Sequence, residues 1–213
     1  MNKKKVLVLG STGLVGHLVI SYLNQDINIH EVVCLVRRPV NFQSQKIKYY
    51  TVNFKNLDNY LHLFEGITDV ICCIGTTIKK AKSKEKFTFV DYEIPLKVAK
   101  IIKKENIHSF NLVSSMGASS KSRFFYLKVK GNIEDDLKKV NFHSLNIYRP
   151  SLLVGNRSEI RVGEKITEAF FKFFSLIIPK KYLPTDSNKL AKLIVENLQQ
   201  DNSGNQVFES FMI

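Results

Sequence analysis

The chain has 213 residues, 44% of them hydrophobic, and a formal net charge of +13 at pH 7. This length suits one domain with a substantial core, and the hydrophobic fraction excludes a disordered chain. The charge could indicate nucleic acid or an anionic membrane as a partner, but the lysines are scattered and no nucleic-acid-binding motif accompanies them. We therefore expect a basic, solvated surface and no nucleic-acid partner.

The first motif is a glycine-rich turn between a strand pattern and a helix pattern. An apolar run at residues 6–9, with lysines before it, leads into Gly10, Gly13 and Gly16, and an amphipathic segment follows. Glycines here let the backbone approach a phosphate, which the N–H groups and dipole of the helix start stabilise. A second apolar run at residues 31–36 closes a βαβ unit, the context in which such glycines bind a dinucleotide. An ordinary strand-to-helix turn is the alternative.

The residues that follow the second strand predict which dinucleotide binds. An NAD-selective site usually carries an acidic residue here for the ribose 2′-hydroxyl, but this chain has Arg37 and Arg38. Two guanidinium groups suit a 2′-phosphate. The sequence therefore predicts NADP(H) in preference to NAD(H), the alternative being a solvated basic loop.

Strand and helix patterns alternate along the rest of the chain. This alternation predicts an α/β fold with a doubly wound parallel sheet covered by helices on both faces. Pro95 is expected to kink or locally tighten the helix that contains it. Further strands are predicted at residues 47–52, 69–74, 109–114, 144–148 and 206–211, and helices at residues 57–64, 86–104, 126–140 and 186–198.

We expect one domain over residues 1–213, with a cofactor-binding core at 1–150 and a short substrate-side region at 151–213. The segment 169–178 in the second part is very apolar and contains four phenylalanines. An interfacial membrane helix is one interpretation of it. We expect instead a core helix, or one wall of an apolar substrate pocket.

The three cysteines, Cys34, Cys72 and Cys73, lie within apolar, strand-like runs. Such cysteines are typical of buried small hydrophobic residues in a reducing compartment, not of a disulfide framework or a catalytic thiol. The basic start of the chain resembles a signal peptide, but glycines interrupt its apolar run and no cleavage site follows. No run is long enough to span a membrane. These features predict a cytoplasmic protein without stable membrane insertion.

Candidate catalytic residues follow the predicted strand 109–114. Tyr126 and Lys130 are four residues apart on a predicted helix, so both project from one face. Ser114 and Ser115 end the strand at the carboxyl edge of the sheet, where such folds bind ligands. An ammonium lowers the pKa of a neighbouring phenol, and a serine hydroxyl can stabilise a carbonyl oxygen that gains negative charge. With a hydride donor nearby, this set would reduce a carbonyl or oxidise an alcohol. Taken alone, the Tyr-Lys spacing is a frequent accident.

These motifs resemble those of the short-chain dehydrogenase/reductase superfamily, in its extended or atypical branch. Residues 11–16 come close to the glycine motif of that branch. Residues 110–131 and 148–153 are most similar to proteins like the HIV-Tat-interacting protein, a subgroup of tumour-suppressor-like NADPH-binding reductases. The resemblance implies that Tyr126 is the general acid/base and that Lys130 lowers its pKa and binds the nicotinamide ribose. It also implies that Ser115, or its neighbour Ser114, polarises the carbonyl.

The same resemblance implies the cofactor contacts. Asn53 stands where the family usually has an adenine-side aspartate, which should weaken that contact. The asparagine of the family's proton relay has no clear counterpart, although Asp91 lies in the corresponding region. The implied contacts are Gly10, Ser11, Thr12, Gly13, Leu14, Val15 and Gly16 for the diphosphate, Arg37 and Arg38 for the 2′-phosphate, Asn53 and Phe54 for the adenine, Ile74, Gly75 and Thr76 for the adenosine ribose, Leu152 and Leu153 for the nicotinamide, and Arg161.

The sequence thus predicts an NADPH-dependent oxidoreductase, monomeric or homodimeric, with a small and apolar carbonyl or alcohol substrate and no metal site. A non-catalytic NADPH-binding regulator or scaffold is the alternative, but such members commonly lack the Ser/Tyr/Lys set. A sugar-nucleotide epimerase is a third interpretation. It normally requires NAD and a larger C-terminal domain than this chain has.

Overall fold

The structure, a computed structural model, describes residues 3–42, 44–105, 107–155, 183–200 and 203–213. Within these ranges the strands are β1 (Lys4–Leu9), β2 (Ile29–Val36), β3 (Ile47–Thr51), β4 (Asp69–Cys72), β5 (Ser109–Val113), β6 (Ser144–Arg149), β7 (Leu153–Val154), β8 (Thr185–Asp186) and β9 (Gly204–Glu209). The α-helices are α1 (Leu14–Gln25), α2 (Ile78–Ala81), α3 (Lys84–Thr88), α4 (Ile94–Ile102), α5 (Phe125–Val140) and α6 (Ser187–Asn197).

Seven of the described strands form one parallel sheet in the order β3-β2-β1-β4-β5-β6-β9. The short strands β7 and β8, which the sequence did not predict, pair with each other outside it. The strand order reverses between β1 and β4, and ligands of such sheets bind in the crevice at that switch point. The predicted doubly wound α/β fold is therefore confirmed, and it positions a ligand site at the carboxyl ends of β1 and β4.

Both faces of the sheet are buried, as the alternation of β1 shows. Val6 and Val8 pack in the cluster that contains residues of α1 and α6. Leu7 and Leu9 pack in the opposite cluster, with residues of α4 and α5. Since successive side chains of a strand point to opposite faces, a continuous apolar run is what a strand covered on both faces requires.

An ion-pair cluster connects helix α5 to strands β6 and β9 at one edge of the sheet. The Arg149 guanidinium, at the end of β6, donates through Nε and Nη2 to the buried Glu134 carboxylate, with Nη2 2.5 Å from Oε2. Its Nη1 lies 2.8 Å from Oε1 of Glu209 in β9. Glu134 also accepts a hydrogen bond from the hydroxyl of Ser114. Hydrogen bonds to Glu134 raise the pKa of Arg149 further above its ordinary value, so the guanidinium stays charged at neutral pH.

The predicted helix 86–104 is divided where Pro95 occurs. The chain passes from α3 through a π-helical turn, Phe89–Glu93, into α4, and a 3-10 turn follows it. A proline has no N–H and its ring clashes with the carbonyl four residues earlier, which here belongs to Asp91. A π turn relieves that clash by adding a residue to the turn. The expectation of a local tightening was therefore wrong, since the turn is widened.

Two other segments differ from the prediction. The helix predicted at 57–64 is a 3-10 segment, Phe54–Phe64, with non-helical backbone at Asn56 and Tyr60. The residues between β4 and the predicted helix 86–104 contain the short helix α2 and the start of α3, which the sequence did not predict. No helix in the described ranges is long and apolar enough to cross a membrane. The apolar segment 169–178 lies outside the described residues.

Candidate dinucleotide site and active site

The glycine-rich turn fits closely against the backbone of the residues just after β4. Gly10 has a φ of +79°, and a Cβ built on it would lie 2.6 Å from the backbone of Cys73. A Cβ on Gly16 would lie 2.1 Å from the carbonyl oxygen of Gly10, so α1 begins directly against the turn. Gly13 precedes α1, and no side chain caps this helix start. The N–H groups of its first turn are thus available to an anion.

A cleft of about 990 Å³ opens at this turn, between the end of β2 and the segment after β4. Its volume is at the upper end of the range for small-molecule sites, about 300–1,000 Å³. The predicted residues that line it are Gly10, Ser11, Thr12, Gly13, Arg37, Arg38, Phe54, Ile74, Gly75 and Thr76. The predicted residues that do not line it are Leu14, Val15, Gly16, Asn53, Ser115, Tyr126, Lys130, Leu152 and Leu153. Arg161 lies outside the described residues.

Asn53 and Leu153, two of the predicted cofactor contacts, make contacts within the protein. Asn53 is exposed, and its Oδ1 caps the 3-10 segment by accepting a hydrogen bond from the N–H of Lys55 at 3.0 Å. Leu153 packs against the apolar cluster that contains α1 and α6. An adenine-side role for Asn53 would therefore compete with its capping role.

Lys130 lies in a buried ion pair immediately behind the cleft. Its Nζ is 2.8 Å from Oδ1 of Asp91, and both side chains are almost fully buried. Oδ2 of Asp91 accepts a hydrogen bond of 2.9 Å from the backbone N–H of Thr76. A Cβ built on the cleft residue Gly75 would lie 3.4 Å from Asp91 Oδ1 and 3.7 Å from Lys130 Nζ. The absence of a side chain at Gly75 thus leaves the ammonium close to the cleft.

The electrostatics of Lys130 follow from this pairing. Burial favours the neutral amine, but the Asp91 carboxylate and the nearby Tyr126 phenol outweigh burial and raise the pKa of Lys130 above its ordinary value. The ammonium is therefore charged at neutral pH even though water hardly reaches it. Asp91 occupies the π-helical turn just before Pro95.

The two serines at the end of β5 have different surroundings. Ser114 is buried, and its hydroxyl donates to Glu134 in the ion-pair cluster. Ser115 is half-buried, and its Oγ makes a weak contact of 3.5 Å with the carbonyl of Met116. Tyr126 is also half-buried, with its ring 5.5 Å from that of Phe87. Of the two hydroxyls, that of Ser115 is the one not engaged in the buried cluster.

The loop that carries Ser115 is fixed against the helix that carries Tyr126. A Cβ on Gly131 would lie 2.1 Å from the backbone of Ser119 and Ser120. The N–H of Ser119 also donates to the carbonyl of Leu127 at 3.1 Å. The loop and the first turns of α5 therefore pack backbone to backbone.

The cysteines are free thiols within the described residues. Burial raises the pKa of Cys34 to about 12, and that of Cys72 to about 12. Cys73 lines the cleft, and burial raises its pKa further. Because a thiolate is the reactive form, none of the three suits a nucleophilic role at neutral pH.

Sequence reasoning missed three lysines that line the cleft, Lys80, Lys82 and Lys86. The sequence interpretation treated the lysines of this region as part of a scattered basic surface. Their position after β4 was the available signal, because the carboxyl ends of parallel strands lie at one edge of the sheet. The ion pair of Asp91 with Lys130 had no signal in the residue spacing, since it depends on the π turn.

Two solved structures share this fold. The enzyme WbmH of Bordetella bronchiseptica, solved in complex with NAD+, superposes with a TM-score of 0.71 at 16% identity, over 97% of this chain and 75% of that chain. The oxidoreductase ylbE of Lactococcus lactis superposes with a TM-score of 0.69 at 17% identity, over 95% and 88%. At such identities the likeness establishes the fold alone.

The expectation of a cytoplasmic protein was wrong. Protein FMP52, mitochondrial, of Candida albicans is 31% identical over 203 residues, which cover 92% of this chain and 89% of that protein. Relatives from other yeasts are likewise named as mitochondrial proteins. These names point to mitochondria. Free buried cysteines and the lack of a long apolar run fit a mitochondrial protein equally well, so composition could not distinguish the compartments.

A family model identifies the group. Residues 38–183 match the model of the HIM1 family. Protein HTATIP2 of Rattus norvegicus is 34% identical over 174 residues, which cover 80% of this chain and 72% of that protein. The resemblance that the motifs predicted is thereby confirmed. The chain belongs to the HIM1 family, whose Rossmann-like sheet it shares with the short-chain dehydrogenases and reductases.

Proposed function

We propose that the chain is an NADPH-dependent oxidoreductase that reduces a carbonyl compound or oxidises an alcohol. The observation that supports this most is the position of Lys130. A buried ammonium is held beside Gly75 at the cleft, one helical turn after Tyr126. Burying a charged pair is costly unless it is well partnered, and perturbed charges of this kind concentrate at functional sites.

The described cleft fits a nicotinamide dinucleotide. Gly10 packs directly against the backbone of Cys73, which keeps the turn tight, and the uncapped N–H groups at the start of α1 stay open to a phosphate. We assign the diphosphate to residues 10–13, the 2′-phosphate to Arg37 and Arg38, and the adenine to the neighbourhood of Phe54. The nicotinamide, when bound, supplies or accepts the hydride.

Three side chains of the protein, those of Tyr126, Ser115 and Lys130, would then carry out the proton transfer. In the reducing direction the Tyr126 hydroxyl donates its proton to the carbonyl oxygen, and the Ser115 hydroxyl donates a hydrogen bond to that oxygen as negative charge develops. Lys130 stabilises the phenolate that Tyr126 becomes, and its remaining N–H donors can bind a ribose hydroxyl. Asp91 keeps Lys130 charged and in place.

The division of the chain belongs to this proposal as well. Residues 1–150 form most of the cofactor-binding core, which α6 completes by packing on the sheet and β9 by pairing with β6. The rest of residues 151–213 is the region that we propose to cover the substrate. An apolar carbonyl or alcohol is the proposed substrate class, because the substrate-side region contains the phenylalanine-rich segment 169–178.

Consumption of NADPH with a panel of apolar aldehydes and ketones tests the proposal. The matched control is Tyr126→Phe, which retains the ring next to Phe87 and removes the transferable proton. Turnover by the wild type that the variant loses supports the proposed enzyme. Tight NADPH binding without turnover of any compound would instead favour the non-catalytic NADPH-binding regulator.

A further inference from the structure

The described lining of the cleft is strongly positive. It contains five cationic side chains and not one carboxylate, the cations being Arg37, Arg38, Lys80, Lys82 and Lys86. None of the ion pairs between described residues involves any of the five. No carboxylate in the part of the chain that the structure describes therefore neutralises these charges through an ion pair.

The five cations come from two separate parts of the chain. Arg37 and Arg38 follow β2, on one side of the glycine-rich turn. The three lysines follow β4: Lys80 lies on α2, Lys82 ends that helix with a φ of +66°, and Lys86 lies on α3. The cleft thus has two basic sides, which we call the arginine side and the lysine side.

A simple charge balance indicates what the lysine side binds. The diphosphate of a dinucleotide already has partners in the N–H groups and dipole at the start of α1. Five further cations exceed what that diphosphate requires. A phosphomonoester carries about −1.5 to −2 charges at pH 7 and three acceptor oxygens, and both lysine and arginine bind such groups well.

We propose that Lys80, Lys82 and Lys86 form the second half of a site for a ribose phosphomonoester, opposite Arg37 and Arg38. The phosphate is held between the two basic sides, so the lysines contribute to cofactor specificity together with the arginines. This inference rests on the proposed dinucleotide function. Its chemistry fits a 2′-phosphate, as in NADPH, or a 3′-phosphate, and the two sources are separable by experiment.

Calorimetric titration of the wild-type protein with 2′,5′-ADP, 3′,5′-ADP and 5′-AMP tests the site without any turnover. The test variant is Lys80→Gln/Lys86→Gln. Its matched control is Lys79→Gln/Lys84→Gln, which removes the same charge from the same two helices at positions that do not line the cleft. We expect the test variant to lose at least about 10-fold in affinity for 2′,5′-ADP and less than about 2-fold for 5′-AMP.

The outcomes separate the inference from the function on which it rests. If the test variant and its control lose the same affinity for 2′,5′-ADP, the proposed role of the lysine side is wrong. The same holds if the test variant loses as much affinity for 5′-AMP as for 2′,5′-ADP. Neither result would contradict dinucleotide binding in the cleft. Failure of the wild type to bind NADPH or any of the three nucleotides would overturn the proposed function and this inference together. Tighter binding of 3′,5′-ADP than of 2′,5′-ADP, lost in the same variant, supports the phosphomonoester site and assigns it to a 3′-phosphate.

Discussion

The ammonium of Lys130 and the carboxylate of Asp91 lie 2.8 Å apart, and the side chains are only 6% and 0% exposed. The second carboxylate oxygen binds the backbone of Thr76, which lines the cleft. A single acidic residue therefore holds both the candidate catalytic lysine and a segment of the proposed cofactor site. The proton-relay asparagine of the resembling family has no clear counterpart in this sequence. Asp91 lies in the corresponding region, where it is the charged partner of Lys130.

Replacing Asp91 by asparagine should destabilise the protein by about 3 kcal/mol at pH 7, because the variant leaves a buried ammonium without its counter-charge. The pKa of Lys130 is raised above its ordinary 10.5 in the folded wild type. The stability that this shift provides is fully present below pH 10.5 and is lost as the pH rises through the folded value. Urea denaturation should thus show the largest difference between wild type and Asp91→Asn at neutral pH. Because burial without Asp91 favours the neutral amine, Lys130 of the variant loses its proton at lower pH than in the wild type, and the difference narrows as the pH rises through that range.

Asp135→Asn is the control for that measurement. The Nζ of Lys138 lies 3.5 Å from Oδ1 of Asp135, and the side chains are 36% and 46% exposed. Exposed pairs contribute about 0–1 kcal/mol. Equal effects of the two substitutions at pH 7 would contradict a special role for the buried pair.

Arg37→Ala/Arg38→Ala should weaken NADPH binding and leave NADH binding nearly unchanged. Each charge-assisted contact contributes about 1.5–3 kcal/mol, so a loss of about 10-fold or more is expected for NADPH. Fluorescence titration of both cofactors measures the difference. Arg123→Ala, which removes an exposed arginine that does not line the cleft, is the control. Equal NADPH and NADH affinities, unaltered in the double variant, would exclude the predicted 2′-phosphate contact.

Tyr126→Phe should lower kcat by about 10²–10⁴-fold on any substrate that the wild type turns over, because only the transferable proton is lost. The dissociation constant for NADPH should hardly change. Lys130→Ala should impair both turnover and binding, since this residue is proposed to serve the phenol and the ribose. Steady-state kinetics together with cofactor titration separate the two effects. A fully active Tyr126→Phe protein would remove Tyr126 from the mechanism.

Glu134→Ala should destabilise the fold by about 3 kcal/mol, since it leaves Arg149 without its main partner and Ser114 without its acceptor. Thermal and urea unfolding measure this loss. Asp136→Ala on the same helix loses an exposed ion pair with Lys139 and a partly buried hydrogen bond from Tyr92, but leaves no buried charge without a partner, so it should cost much less. If both variants unfold at the wild-type urea concentration, the cluster contributes little to stability.

Much of this fold could be predicted because its strands are buried on both faces. A run such as 6–9, followed at once by glycines and a helical pattern, has few other interpretations, and β1 and α1 lie where the sequence predicts them. The strand boundaries differ by one or two residues, as at β4, which ends at Cys72 two residues earlier than predicted. The hydrogen bonds to neighbouring strands decide where each strand ends. A single sequence does not show which residues form these bonds.

The candidate site was predictable only in part. Gly10 and Arg37 belong to motifs with a fixed order along the chain, and both line the cleft. Asp91 depends on a widened helical turn that Pro95 imposes, and helix periodicity does not report such a turn. Lys80 depends on the short helix α2, which no periodic pattern announces, whereas Lys86 lies on α3 at the start of the predicted helix 86–104. Tertiary contacts decide those positions.

The fit of Gly131 against Ser119 and Ser120 matters for protein engineering. Because backbone meets backbone there, the spacing between the loop and helix α5 does not depend on which side chains the loop carries. A library that randomises the exposed positions 121 and 123 can therefore reshape the surface beside the candidate active site without displacing Tyr126. Any residue larger than glycine at position 131 would push the loop and the helix apart and so change the distance between Ser115 and Tyr126.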